Sequence, residues 1–349
     1  MNFASENTAP VAPNVMDAMV AANQGTCPSY GVDSESEHAR VLFCDLFETD
    51  CSVYFLASGT ATNSVGLAAV TPPHGAMLCS DVAHIHLDEC GAPEFFTGGA
   101  KLQTLMSSAG KLSPDVLLTH FDERPMLGPH RSPYKVLSLT QGTEAGTVYS
   151  VSELEALSAI ARNHDLVVQM DGARFANAVA ALGVSPAELS WRAGIDMLSF
   201  GGTKNGCLAA EALVVFNKSL VDDVEFLRKR AGHLWSKGRY LGAQFKGYLT
   251  DGYWLTLAAH ANAMAHRLSS GLQALPGIQL IYPTEINEVF VTMPDDLVTA
   301  LQNAGASFYP WVCPGLPASA KAYRLITSWS TDDAEIDQFL TLAQRHYIG

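Results

Sequence analysis

Charge is scarce in this sequence, and positive charge scarcest. Only 16% of the 349 residues are charged, and 21 Lys and Arg stand against 35 Asp and Glu, a formal net charge of −14. A surface of that sign repels nucleic acid and anionic lipid, which excludes both as main partners. Small anions stay open, because local arginines bind a carboxylate whatever the global sign. No apolar run reaches the ~20 residues that a membrane helix needs. The seven cysteines (27, 44, 51, 79, 90, 207 and 313) contain no C-x-x-C pair and no regular spacing. That argues against a disulfide framework or a zinc site, and for free thiols in a reducing compartment. Residues 1–6 show no basic region leading into an apolar core, so no signal peptide is expected and the cytoplasm is the expected location. Repeats and low-complexity linkers are absent as well.

What is present is apolar. Hydrophobic residues make up 48% of the chain, enough at this length for one large core and a smaller second one. The expected division is an N-terminal arm and short helix over 1–30, a large domain over 31–250, and a connecting helix with a small C-terminal domain over 251–349. From Ser52 onward, apolar runs at 53–57, 76–80, 135–139, 166–170, 196–200 and 212–216 read as strands alternating with helices. Capping boxes are expected at Ser34 with Glu37 and at Ser152 with Glu155. The pattern is α/β: a mainly parallel sheet of the seven-stranded type, covered by helices on both faces. Beyond residue 220 two helices are expected near 219–230 and 252–273. A compact α+β segment follows, with strands near 278–282, 288–292, 307–311 and 323–328, a helix near 295–304 and a last helix.

Two stretches carry chemistry. The run from Ile195 ends in Phe200-Gly-Gly-Thr-Lys-Asn-Gly206, a small-residue loop around Lys204. A lysine partly removed from water sheds its proton more easily and becomes a nucleophile towards carbonyls. The strand at 166–170 delivers Asp171-Gly-Ala-Arg174 at its carboxyl end, where open α/β sheets bind ligands. A lysine and an aspartate so placed match the needs of pyridoxal 5'-phosphate: the lysine takes the aldehyde, and the carboxylate keeps the pyridine nitrogen protonated. Ser58-Gly59-Thr60 between a strand and a helix suits the cofactor's phosphate. The cluster His84, His86, Asp88 and Glu89 invites a metal reading, but an aromatic partner stacked on the cofactor ring explains His84 with fewer assumptions. No metal is expected.

Together these stretches resemble a known family. Ala83-His84-Ile, Asp88-Glu-Cys-Gly-Ala-Pro93, Met170-Asp-Gly-Ala-Arg-Phe175 and Phe200-Gly-Gly-Thr-Lys-Asn-Gly206, in that order, are similar to low-specificity L-threonine aldolase, within the aspartate-aminotransferase-like fold. The likeness runs from the Ser5-Glu6-Asn7 arm to Trp329. It implies that Lys204 carries the cofactor, Asp171 meets its ring nitrogen, and Ser58, Gly59 and Thr60 hold its phosphate. Arg174 would touch the ring hydroxyl and, with Arg324 and Ser5, the substrate carboxylate. His84 would stack on the ring. His130 would be a second histidine at the substrate hydroxyl, with His84, His130 or a water as base and Glu89 next in line. Tyr30 would reach in from a neighbouring subunit, and a basic residue of 228–230, Lys229 by preference, would reach the neighbour's phosphate. A homotetramer with shared sites follows from the same resemblance.

The implied reaction is retro-aldol cleavage of L-threonine, L-allo-threonine and related β-hydroxy-α-amino acids to glycine and an aldehyde. Other readings of the same scaffold are β-elimination or transamination, a preference for phenylserine-type substrates, and a pyridoxal-binding protein without turnover.

Overall fold

In the computed structural model, residues 1–124, 127–220, 222–313, 316–317 and 320–346 are described. The short apolar runs become strands because each is too brief for a buried helix and is closed by Gly, Ser, Thr or Asp. Seven of them form one sheet: β1 (Ser52–Leu56), β2 (Ala76–Ser80), β3 (Lys101–Leu105), β4 (Tyr134–Thr140), β5 (Val167–Gly172), β6 (Met197–Gly201) and β7 (Glu211–Val215). Their spatial order is β1-β7-β6-β5-β4-β2-β3. β2 to β6 pair in parallel, whereas β7 runs antiparallel to both β6 and β1. β2, β6 and β7 are buried along their whole length, as expected of strands covered on both faces.

Six of these strands match the expected runs to within a residue or two. β3 does not follow from the pattern, since Lys-Leu-Gln-Thr-Leu lies at the sheet edge with only Leu105 fully buried. The helix Arg239–Leu249 was also unmarked in the sequence, because its two glycines break the helical signal. They serve close packing instead: a side chain at Gly242 would lie 2.5 Å from the backbone of Ser36. Both capping expectations shift towards the N-terminus. Asp33, not Ser34, caps Ser34–Phe47 by accepting from Ser36 N. Ser150 and Glu153, not Ser152 and Glu155, form the capping box of Val151–Asn163. A carboxylate or hydroxyl just before the first helical turn satisfies its free N–H groups best.

The long helix Tyr253–Gln273 leads into an antiparallel sheet of β8 (Gln279–Leu280), β9 (Glu288–Thr292), β10 (Tyr309–Trp311) and β11 (Ala322–Ile326), in the order β10-β11-β9-β8. Helices Asp295–Asn303 and Asp333–His346 complete it. The N-terminal arm belongs to this unit. Phe3 is fully buried in its core, edge-on to Phe339 at 5.2 Å, and exchanges backbone bonds with Ser307 and Ile326. Further along the arm, Ala12 N donates to Gly206 O beside the lysine loop. The arm therefore ties the small sheet to the carboxyl edge of the large one. Among the described residues no helix is long and apolar enough to cross a membrane.

Removing the Phe3 ring leaves a cavity among Phe308, Phe339 and the strands beside them. Phe3→Ala should cost ~3–5 kcal/mol of stability, read as a lower denaturation midpoint. A midpoint equal to that of the wild type would show that the arm does not anchor the small domain.

Candidate active site

The carboxyl ends of β4, β5 and β6 and the amino end of β7 meet at one pocket of about 260 Å³. It is lined by Ser58, Gly59, Thr60, His84, Asp171, Arg174 and Lys204, with Asn7, Asn63, Glu89, Glu144 and Glu211 among the others. Lys204 enters on a short turn after β6. A side chain at Gly201 would stand 2.6 Å from the Ala173 carbonyl oxygen, so only glycine lets this strand end pass the loop that carries Asp171 and Arg174. Lys204 is half-buried, and its Nζ makes no hydrogen bond or ion pair among the described residues. Burial lowers its pKa, and the nearby Arg174 guanidinium adds to that, against the pull of Glu6 and Asp171.

Asp171 is held by neighbours rather than by a counter-ion. Its Oδ1 accepts from Ala173 N at 3.0 Å and its Oδ2 from Asn63 Nδ2 at 2.8 Å. The same Asn63 amide donates to Glu89 Oε1 at 2.9 Å. Gln169 fixes that amide by donating to Asn63 Oδ1, and Ser138 fixes Gln169. Glu89 Oε1 also meets His84 Nδ1 at 2.9 Å, a bond that raises the histidine's pKa against the effect of its burial. His84, Glu89 and Asp171 bring ligand-type atoms within 4.8 Å of one another. Here the Asn63 amide joins the two carboxylates.

Arg174 is buried between two carboxylates. Its Nε meets Glu6 Oε1 at 2.5 Å, and its NH2 lies 3.1 Å from Glu288 Oε1. Burial pushes Glu6 upward, but Arg174, Lys204 and the bond from Asn287 outweigh it and hold the carboxyl at about 2. Glu288, with no hydrogen-bonded oxygen among the described residues, is raised by burial. Arg324 stands 3.9 Å from the same Glu288 and stacks on Trp311 at 3.8 Å. Arg324 does not itself line the pocket and is linked to it through Glu288, which also meets Arg174. Ser5 sits next to Glu6, its Oγ accepting from Asn7 N.

Three expected site residues lie elsewhere in this chain. His130 is exposed and lines a separate cavity with His74, Lys101 and Arg124. The reason is topological: it precedes β4, so it sits at the amino end of a strand whose carboxyl end holds the pocket. Tyr30 and Lys229 are both exposed and outside the pocket, and they pair with each other, Lys229 Nζ 4.8 Å from the Tyr30 ring centre. Arg228 is engaged within its own chain, with Glu225 and Tyr54. Sequence reading also missed several members. Glu211 is one polar residue inside an apolar run, a signal that was there to be read, whereas Asn63 and Glu288 stand beside other polar residues and carry no such mark. His233, whose Nδ1 accepts from Ala57 N, left no such signal.

The residues present fit a pyridoxal phosphate group: an unpartnered lysine of lowered pKa, a fixed carboxylate, and open space beside Gly59 at the start of the helix Gly59–Val70. Fold and site together define a fold-type I pyridoxal enzyme. The family model of beta-eliminating lyases matches residues 2–296. The chain is 44% identical to the low specificity L-threonine aldolase of Pseudomonas sp. (strain NCIMB 10558), covering 96% of this chain and 94% of that one. It is 43% identical to the Pseudomonas aeruginosa protein of the same name, over 95% and 93%. A threonine aldolase structure from Leishmania major superposes with a TM-score of 0.92 at 31% identity, over 99% of both chains. A serine palmitoyltransferase from Sphingomonas wittichii shares the fold at 0.73 and 14% identity, over 99% of this chain and 86% of that one. This chain belongs to the low-specificity L-threonine aldolase family, among the beta-eliminating lyases.

Asn63→Leu keeps the volume and removes the amide from both carboxylates. It should cost ~1–3 kcal/mol of stability and weaken cofactor binding, measured by thermal melting and by absorbance titration. Unchanged cofactor affinity would mean that Asp171 does not depend on Asn63 for its position.

Proposed function

We propose that this chain cleaves L-threonine and related β-hydroxy-α-amino acids to glycine and an aldehyde, with pyridoxal 5'-phosphate held by Lys204. The observation that carries the reading is the single pocket in which an unpartnered Lys204, Asp171, Arg174 and His84 converge with Ser58, Gly59 and Thr60. When bound, the cofactor supplies an electron sink for the pair left on Cα.

The chain's own residues do the rest. Lys204, its pKa lowered by burial, offers a free amine to the cofactor's aldehyde. The Asp171 carboxylate, fixed by Ala173 N and Asn63, would meet the cofactor's ring nitrogen and keep it protonated. The N–H groups at the start of the helix Gly59–Val70, beside Ser58 and Thr60, receive the phosphate. Arg174 and Arg324, with Ser5, would grip the substrate carboxylate and so orient the Cα–Cβ bond for cleavage. His84, oriented by Glu89, would stack on the cofactor.

Assembly belongs to the same proposal. Tyr30 and Lys229 are exposed together, as expected of residues that complete a neighbour's site, and His130 can meet a substrate only in another copy. A homotetramer with shared sites accommodates all three. The seven thiols are all free, including Cys44 and Cys51 with sulfurs 3.7 Å apart, which suits the cytoplasm.

The direct test is aldehyde release from L-threonine and L-allo-threonine by the purified protein. Lys204→Ala should abolish it, and borohydride treatment should add the cofactor's mass to the wild type and not to the variant. Retained turnover would reject the reading. Asp171→Asn should keep the cofactor but slow cleavage by on the order of 10² to 10³, read as kcat. A wild-type kcat would place the ring's proton under another group's control.

A further inference from the structure

A second cavity, of about 660 Å³, adjoins the active-site pocket. Its walls are mixed: Leu87, Ile281, Tyr282 and Trp311 are apolar or aromatic, and Asp88 and Ser107 are polar. Glu144 lines both spaces. It follows the end of β4, and its carboxyl is fixed in a definite way. Oε1 accepts from Thr140 Oγ1 at 2.8 Å and from His84 N at 2.8 Å. Oε2 is buried and has no partner among the described residues. Leaving a buried acceptor unmet costs ~1–3 kcal/mol, so an oxygen kept in that condition at a cavity junction calls for a ligand group.

We propose that Glu144 is the general base that takes the β-hydroxyl proton of the substrate, and that the second cavity receives the substituent on the β-carbon. This rests on the aldolase reading above. With the carboxylate at the arginines and the amine at Lys204, the third substituent of Cα must point away from both. The adjoining cavity is the open volume on that side, and the β-carbon then lies beside Glu144. His84 is the rival acceptor, since the bond from its Nδ1 to Glu89 raises its pKa and leaves Nε2 open. In the reading above, however, its ring is given over to the cofactor's face, whereas Glu144 Oε2 is a buried acceptor without a partner among the described residues. Glu89 gives its Oε1 to Asn63 and His84 and its Oε2 also lacks a partner among the described residues, but Glu89 lines the active-site pocket alone, away from the second cavity.

The step balances. Glu144 Oε2 accepts the hydroxyl proton, and the O–H pair becomes the second bond of the aldehyde carbonyl. The Cα–Cβ pair stays on Cα, where a proton then completes glycine. One proton leaves the β-oxygen and one is gained at Cα, so no oxidant or reductant enters. Burial raises the Glu144 pKa to about 7, Asp171 adds to the rise, and the bonds from His84 N and Thr140 oppose it. Cys79 and Tyr149 also face it, as does Arg174. The ionised form is the base, so cleavage should fall as the pH drops through the neutral range.

Glu144→Gln tests this cleanly, because its amide oxygen can keep both hydrogen bonds while the nitrogen accepts no proton. Its kcat for threonine cleavage should fall ~10²–10⁴-fold, and the neutral-range pH limb should vanish. Exchange of the glycine α-proton with D2O, which needs no β-hydroxyl, should continue at the wild-type rate. The infrared difference between wild type and variant, a readout independent of turnover, should contain a carboxylic-acid band that titrates near neutral pH. Glu144→Asp should keep the pH limb at reduced rate. Threonine cleavage by Glu144→Gln near the wild-type rate overturns the proposal, and so does a parallel loss of cleavage and glycine exchange, which marks a positioning role. A wild type that exchanges no glycine proton instead rejects the aldolase reading beneath it.

Discussion

One amide group organises the site. The two N–H bonds of the Asn63 side chain point at Glu89 and Asp171, and Gln169 holds the third corner. Two carboxylates sharing one neutral donor need no counter-ion between them, which leaves Lys204 unpaired for a carbonyl. Were a lysine or arginine to replace that amide, it would satisfy the carboxylates more strongly and compete with the cofactor ring for Asp171. A neutral bridge fixes position without consuming charge. His84 gains from the same arrangement, since the oxygen of Glu89 that meets Asn63 also meets its imidazole. His84 and Asp171 are thus set by one fixed point on a helix buried against the sheet.

The arginine side of the pocket follows a different logic. Arg174 is charged, buried and shared by Glu6 and Glu288, which come from the N-terminal arm and from β9 of the small sheet. Breaking a buried pair by removing one partner is far costlier than never having formed it. The position of Arg174 is therefore coupled to the placement of the small domain and of the arm that Phe3 anchors. With Arg324 on β11 beside the same Glu288, the small sheet bears on that arginine through one carboxylate.

Much of this was legible in the sequence, and the remainder was not for identifiable reasons. Strands buried on both faces announce themselves as apolar runs, so the frame that carries Asp171 and Lys204 could be read, whereas the half-exposed edge strand β3 could not. The central site residues sit where strand ends and glycine loops put them. His130 shows the limit of motif spacing: its distance along the chain from Asp171 says nothing of which sheet edge it occupies, and the direction of β4 decides that. Tyr30 and Lys229 reveal a second limit. Both are surface residues outside the pocket of their own chain, and a single sequence carries no sign of what meets such a residue. A polar residue stranded in an apolar run, as Glu211 is, was a signal left unused, while Asn63 and Glu288, flanked by other polar residues, take their part in the network only from the fold.

The charge of the chain and the charge of its ligands pull in opposite directions. A protein of formal net charge −14 receives an anionic cofactor and a substrate with a carboxylate. Among the pocket's lining residues the basic groups are Lys204 and Arg174, and several of the acids beside them are buried until some keep their protons. Glu144 and Glu211 are both raised to about 7 by burial. At neutral pH a fraction of each is neutral, so the pocket presents less negative charge than its carboxylates would suggest. Those same groups can give up or take a proton for little free energy. Acidity that would repel the ligand if fully ionised becomes, by desolvation, a supply of proton acceptors and donors placed against the reacting atoms.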